Sequence, residues 1–135
     1  MRYLGIDYGT GKVGIALSDE AGTMGFPKGS YRNDARLFDS VVALAQAEKV
    51  TAVVIGDSRD LSGVENPVAQ EAQAFGRELQ RVLNVPVYYE FEAFSTQEAR
   101  RAPDGARTMG AQDAAAAALI LTSYLSRQKG NEALG

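Results

Sequence analysis

The run Ala52-Val53-Val54-Ile55-Gly56 places no polar residue on either alternating side. That pattern fits a strand buried on both faces, as in a sheet flanked by helices. The flanking segments have the period to supply them. Leu37, Val41, Leu44 and Ala45 share one helical face, and Asn33 stands where a cap is expected. Asn66-Pro67 is a helix start, followed by the stripe Val68, Ala72, Phe75, Leu79 and Val82. Val85 to Tyr89 reads as another strand, Ser95 and Glu98 have capping-box spacing for a short helix, and Ala114 to Leu125 is a strong helix. Before all of these, Tyr3 to Ile6 and Val13 to Leu17 flank the turn Tyr8-Gly9-Thr10-Gly11 as a hairpin, with a third strand expected within Thr23 to Ser30. Three meander strands followed by helix-strand-helix-strand-helix make an α/β domain with a five-stranded mixed sheet. Residues 1–126 are expected to form this single domain and 127–135 a flexible tail. Pro103 to Gly110 is the expected flexible loop.

Composition limits the chemistry. The 135 residues contain no cysteine and no histidine. Thiolate nucleophiles, zinc–thiolate sites and histidine bases are therefore excluded. Carboxylates, hydroxyls and lysines remain, a donor set suited to Mg²⁺ or Mn²⁺. The net charge of −3 is not that of a basic nucleic-acid binder. Clustered acids that hold cations are nevertheless compatible with a locally basic rim. No apolar run reaches the length of a membrane span and no signal peptide is recognisable, so a cytoplasmic protein is expected.

The acids fall at telling places. Asp7 ends the first strand on the side of Tyr3 and Gly5, and Gly9 and Gly11 then allow close approach of a phosphate backbone. A plain hairpin turn would also use these residue types. Asp57 closes the fourth strand. Glu90 and Glu92 share a side at the end of the fifth, where a cation would relieve their repulsion and an exposed strand end is the alternative. Asp113 is either a helix cap or a carboxylate on the sheet-facing stripe of Ala116, Ala117, Ile120 and Tyr124, where burial demands a partner or a cation. With the fourth and fifth strands parallel to the first, Asp7, Asp57 and Glu92 gather at one sheet edge, as a metal cluster requires.

The opening Tyr3-Leu4-Gly5-Ile6-Asp7-Tyr8-Gly9-Thr10-Gly11-Lys12-Val13-Gly14-Ile15-Ala16-Leu17-Ser18-Asp19 closely resembles the start of YqgF (RuvX) proteins. The Gly63 to Pro67 loop, Ser95-Thr96-Gln97-Glu98-Ala99, and Asp113-Ala114-Ala115 leading to Ile120 through Leu125 extend the resemblance over about residues 2 to 126. These are RNase H-like domains described as pre-16S rRNA nucleases or Holliday-junction-resolvase-like proteins. The resemblance implies an RNase H-like fold, two-metal hydrolysis with Mg²⁺ or Mn²⁺, and catalytic, metal-binding roles for Asp7, Glu92 and Asp113. It also implies a nucleic-acid partner, with RNA favoured and branched or single-stranded DNA as the alternative. Gly9, Lys12, Arg100, Arg101 and Arg107 are the candidates for backbone contact. Neither a monomer nor a homodimer is favoured.

Departures from the family pattern stand beside the matches. Phe91-Glu92-Ala93 replaces the common Asp-Glu-Arg, Gly56-Asp57-Ser58 replaces Gly-Leu-Pro, and Gly11 replaces a frequent basic residue. Asp57 thus competes with Glu92, or supplements it, as the third ligand. Two rivals follow from the sequence. An actin-like ATPase shares the Asp-Tyr-Gly-Thr-Gly turn, but clamps nucleotide between two such domains where this chain supplies one. A nucleic-acid-binding module without catalysis would account for the altered segment around Glu92.

Overall fold

A computed structural model describes residues 1–57, 67–91 and 109–134. In chain order the elements are β1 (Tyr3–Tyr8), β2 (Lys12–Ser18), β3 (Gly25–Arg32), α1 (Leu37–Ala47), β4 (Ala52–Asp57), α2 (Pro67–Leu83), β5 (Val87–Phe91) and α3 (Met109–Leu134). One sheet has the strand order β3-β2-β1-β4-β5. The pairs β1–β2 and β2–β3 are antiparallel, whereas β4 lies parallel to both β1 and β5. The expected mixed sheet is therefore present, and the parallel strands all end at one edge. No helix among the described residues is long and apolar enough to cross a membrane.

Every residue of β4 is buried, because the sheet carries helices on both sides. Alternation divides its side chains between two cores. Val53 and Ile55 join Leu4, Ile6, Val13, Ile15, Leu37, Val41 and Leu79 under α1 and α2. Val54 joins Ala16, Ala117, Ile120, Leu121 and Tyr124 under α3. Burying each large aliphatic residue contributes about 1.5–3 kcal/mol, so both cores hold the helices against the sheet.

Helix α3 lies unusually close to the strands, and glycines explain how. A Cβ on Gly5 would stand 2.9 Å from Leu121 Cβ, and one on Gly25 would stand 2.9 Å from the Ala118 carbonyl oxygen. Ala114, Ala117 and Ala118 are buried on the facing side of the helix. Small residues on both surfaces thus let backbone approach backbone.

Several boundaries differ from the sequence reading for local reasons. The third strand continues to Arg32 and the fifth starts at Val87. Asn33 does not cap α1; the helix starts at Leu37 without a side-chain cap at Arg36. Asn33 instead donates its side-chain amide to the Gly9 carbonyl at 2.7 Å. In α2 the buried side is Ala69, Ala72, Gly76 and Leu79, while Val82 is exposed. Helix α3 extends beyond Ala114–Leu125 in both directions, reaching into the segment expected as a tail. Arg127 of that segment anchors it through an ion pair with Glu90. The short helix expected at Ser95–Glu98 and residues 103–108 of the expected loop lie outside the described residues.

Candidate active site

Asp7 is the penultimate residue of β1, the central strand, and is half-buried. Its side is set by parity: Leu4 and Ile6 enter the core under α1 and α2, so Gly5 and Asp7 face α3. Directly across the ladder from Asp7 stands Gly14 of β2. A Cβ on Gly14 would collide with the carbonyl oxygen of Asp113 and lie 3.1 Å from its Cα. Directly paired residues of antiparallel strands present their side chains on one face, with Cβ atoms about 5 Å apart. Asp113 is therefore seated over the rung that bears Asp7.

The next strand completes this rung. Ser30 of β3 pairs with Gly14, and its hydroxyl donates to Asp113 Oδ2 at 3.1 Å. Asp113 lies within α3 and is half-buried, with Ala117, Ile120 and Tyr124 of its stripe in the core. It is a sheet-facing carboxylate, and the capping alternative does not apply. Sequence reasoning did not single out Gly14 or Ser30. The only signal available was the spacing of small residues along β1 and β2.

Asp57 goes elsewhere. It ends β4 at the same sheet edge, but with Val53 and Ile55 it has the parity of the α1–α2 side. It is buried there, and its charge helps to raise the Tyr89 phenol, for which burial is the larger cause. Tyr89 in turn places its hydroxyl against Gly76 of α2. The expected convergence of Asp57 with Asp7 fails because convergence at an edge is not convergence on a face. A strand changes sides at every residue, and these two acids have opposite parity relative to the paired core residues Ile6 and Ile55.

Glu90 faces α3, and the cation beside it is a guanidinium. Its fully buried carboxylate accepts from Ser123 Oγ at 2.7 Å and from the Arg127 guanidinium. The cation that offsets its charge comes from the end of the helix that carries Asp113. Glu90 thus serves to dock α3, and Tyr88 stacked on Tyr124 adds an aromatic contact at 5.4 Å.

Lys12 opens β2 and is exposed, and Gly9 lies in the turn after β1. Glu92, Arg100, Arg101 and Arg107 lie outside the described residues. Among the described residues no three acids form a group able to hold a metal ion. Asp7 and Asp113 supply two hard carboxylates on one face, a donor set that fits Mg²⁺ or Mn²⁺.

Comparison with known proteins agrees with this arrangement. The family model described as "RuvX: Holliday junction resolvase" matches residues 1–127. A protein of Nitratidesulfovibrio vulgaris named "Putative pre-16S rRNA nuclease" is 35% identical over 133 residues, spanning 93% of this chain and 94% of that one. A protein of the same name from Syntrophus aciditrophicus is 36% identical over 135 residues, spanning 93% of this chain and 88% of its own. Among solved structures, Thermus thermophilus RuvC in complex with Holliday junction substrate superposes with a TM-score of 0.65 at 17% identity, covering 96% of each chain. The fowlpox virus Holliday junction resolvase gives 0.58 at 13% identity, covering 94% of this chain and 99% of that one. These two likenesses establish the RNase H-like architecture. The sheet order, the seating of Asp113 beside Asp7 and the match over residues 1–127 agree, and the chain belongs to the RuvX family.

Proposed function

We propose that this protein is a divalent-metal-dependent nuclease that hydrolyses phosphodiester bonds in structured nucleic acid, with processing of the pre-16S rRNA end as its role. The observation that carries the reading is the seating of the Asp113 backbone over Gly14, the residue directly opposite Asp7 on the ladder. The names of relatives at 35% and 36% identity support the choice of pre-16S rRNA as substrate. Asp7 and Asp113 would hold Mg²⁺ or Mn²⁺ together with Glu92 as the third acid. A bound ion of this kind supplies water activation at neutral pH and charge neutralisation at the phosphate.

The chain's own contribution is positional. β1 is central in the sheet and cannot drift, so Asp7 is fixed by the ladders on both of its sides. The Ser30 hydroxyl occupies one oxygen of Asp113 and sets the carboxylate's orientation. Docking by Glu90, Ser123 and Arg127 holds the C-terminal half of α3 against β5. Such pre-positioning matters because a misplacement of about 1 Å can cost roughly 10²-fold in rate.

The test is cleavage of end-labelled pre-16S RNA fragments and four-way DNA junctions with Mg²⁺ or Mn²⁺. Wild type should cut the RNA, and Asp7→Asn should abolish cutting while leaving binding in place. Preferential cutting of the junction would favour branched DNA, a reading that the description of the family model supports. Binding without cleavage under either metal would assign the chain to the non-catalytic class.

A further inference from the structure

A pair of positive charges stands beside the acids, on the same face. Lys12 of β2 is directly opposite Arg32 of β3, two residues beyond the Gly14–Ser30 rung. Two residues along a strand is about 6.6 Å, and the parity is unchanged. Lys12 and Arg32 therefore emerge on the side that bears Asp7, Ser30 and Asp113, and both are exposed. Like charges placed directly opposite each other repel. Neither one, nor the nearby exposed Arg36, forms an ion pair with another described residue. A cleft of about 190 Å³ lies between the end of β3 and the start of α1, lined by Tyr31, Arg32, Asp34, Arg36, Leu37 and Ser40. Tyr31 and Leu37 belong to the α1–α2 side, so Arg36 stands around the sheet edge from the acids.

This basic loop is tied to the turn that follows Asp7. The Asn33 side-chain amide donates to the Gly9 carbonyl at 2.7 Å, and the Asn33 backbone N–H donates to the Gly11 carbonyl at 3.0 Å. Arg32 and Arg36 flank that clamp in sequence. The loop backbone that carries them is thus fixed relative to the turn after Asp7, which suits a backbone-positioning contact.

We propose that Lys12 and Arg32 beside the acids, continued around the sheet edge by Arg36, form a phosphate track that holds the nucleic-acid backbone next to the bond to be cut. The proposal rests on the nuclease reading and names the residues that would orient its substrate. Arg32 and Arg36 are new to it; only Lys12 was legible from the hairpin motif. The ligand class is the sugar–phosphate backbone, contacted by charge and without regard to base sequence.

Binding of a labelled RNA duplex with single-stranded ends, titrated against salt in the Asp7→Asn background, tests it. Each phosphate contact contributes about 0.7–0.9 to the slope of log affinity against log salt. Arg32→Gln combined with Arg36→Gln should therefore flatten the slope by about 1–2 and weaken binding to all sequences alike. Arg32→Lys with Arg36→Lys should keep most of the slope, which separates loss of charge from damage to the loop. Arg77→Gln, an exposed position on α2, should change nothing. An unchanged slope in the double Gln variant, with wild type still binding and cutting, overturns the track and leaves the nuclease reading intact. If wild type neither binds nor cuts, both fall together.

Discussion

Gly14→Ala is a sharp test of how the site is assembled, because two effects of opposite sign compete there. In an open strand, replacing glycine by alanine stabilises by about 0.4–1 kcal/mol through the unfolded chain. At Gly14 the new methyl would collide with the Asp113 carbonyl oxygen, a backbone atom that no rotamer change can move. The N-terminal part of α3 must retreat, by more than ~1 Å if ordinary contact distances are to be restored, and overpacking of this kind costs about 1–3 kcal/mol. The balance is a net loss of about 1–2 kcal/mol, or a fall in Tm of roughly 4–8 °C for a domain of this size. The same retreat carries Asp113 away from Asp7, so metal-dependent cleavage should drop by about 10²-fold. Gly29→Ala is the internal control: its Cβ would meet nothing within 4 Å, so it should leave Tm level or slightly raised. Differential scanning calorimetry and a single-turnover cleavage assay read both quantities. A Gly14→Ala protein as stable and as active as wild type would refute the seating of Asp113 on this rung.

Other consequences concern the far end of α3 and the acidic turn. Arg127→Met leaves the fully buried Glu90 carboxylate without its cation, and denaturant melts should show a loss of about 2–4 kcal/mol. Adding Glu90→Gln should restore most of that loss, and failure to do so would remove the ion pair from the account. Burial pushes the Tyr124 phenol up to about 12, with smaller contributions from Tyr88, Tyr3 and Glu90. Its folded-state pKa is raised, so the stability it supports is intact below about pH 10. That stability declines as pH rises toward 12, where unfolded chains ionise first. Tyr124→Phe should flatten this alkaline limb of the melting profile. At the other extreme, hydrogen bonds from Thr23, with Met24 adding to them, hold the Asp19 carboxyl below its ordinary range. This contribution is present above pH 4 and lost as pH falls through the depressed value, so Asp19→Asn should reduce the acid sensitivity of melting.

Much of the fold was legible because its signals are local. The apolar run of β4 pointed to a strand buried on both faces, and the Tyr8-Gly9-Thr10-Gly11 turn pointed to the hairpin. The side of the sheet that Asp7 takes and the place of Asp113 on a sheet-facing stripe were recognisable from strand parity and helical period, whereas the seating of Asp113 over the Asp7–Gly14 rung depends on how α3 packs. Other features depend on pairings between distant residues. Asp57 and Asp7 end neighbouring parallel strands, but only the register Ile6 with Ile55 reveals that they point to opposite sides. Glu90 had the right parity for a ligand, and nothing before the fold was known tied it to Arg127, 37 residues away. Asn33 looked like a cap because it precedes a helix, whereas the loop turns it back to Gly9. Arg32 acquires meaning only through its partner Lys12 across the ladder.

Locating the metal tests the central claim most directly. Crystals soaked in Mn²⁺ and measured for anomalous scattering should show a peak between the carboxylates of Asp7 and Asp113, with a second ion about 3.5–4 Å away if the site is binuclear. The Asp7→Asn protein should lose that peak. A strong Mn²⁺ site at Asp57 on the opposite face, with none beside Asp7 and Asp113, would contradict the account.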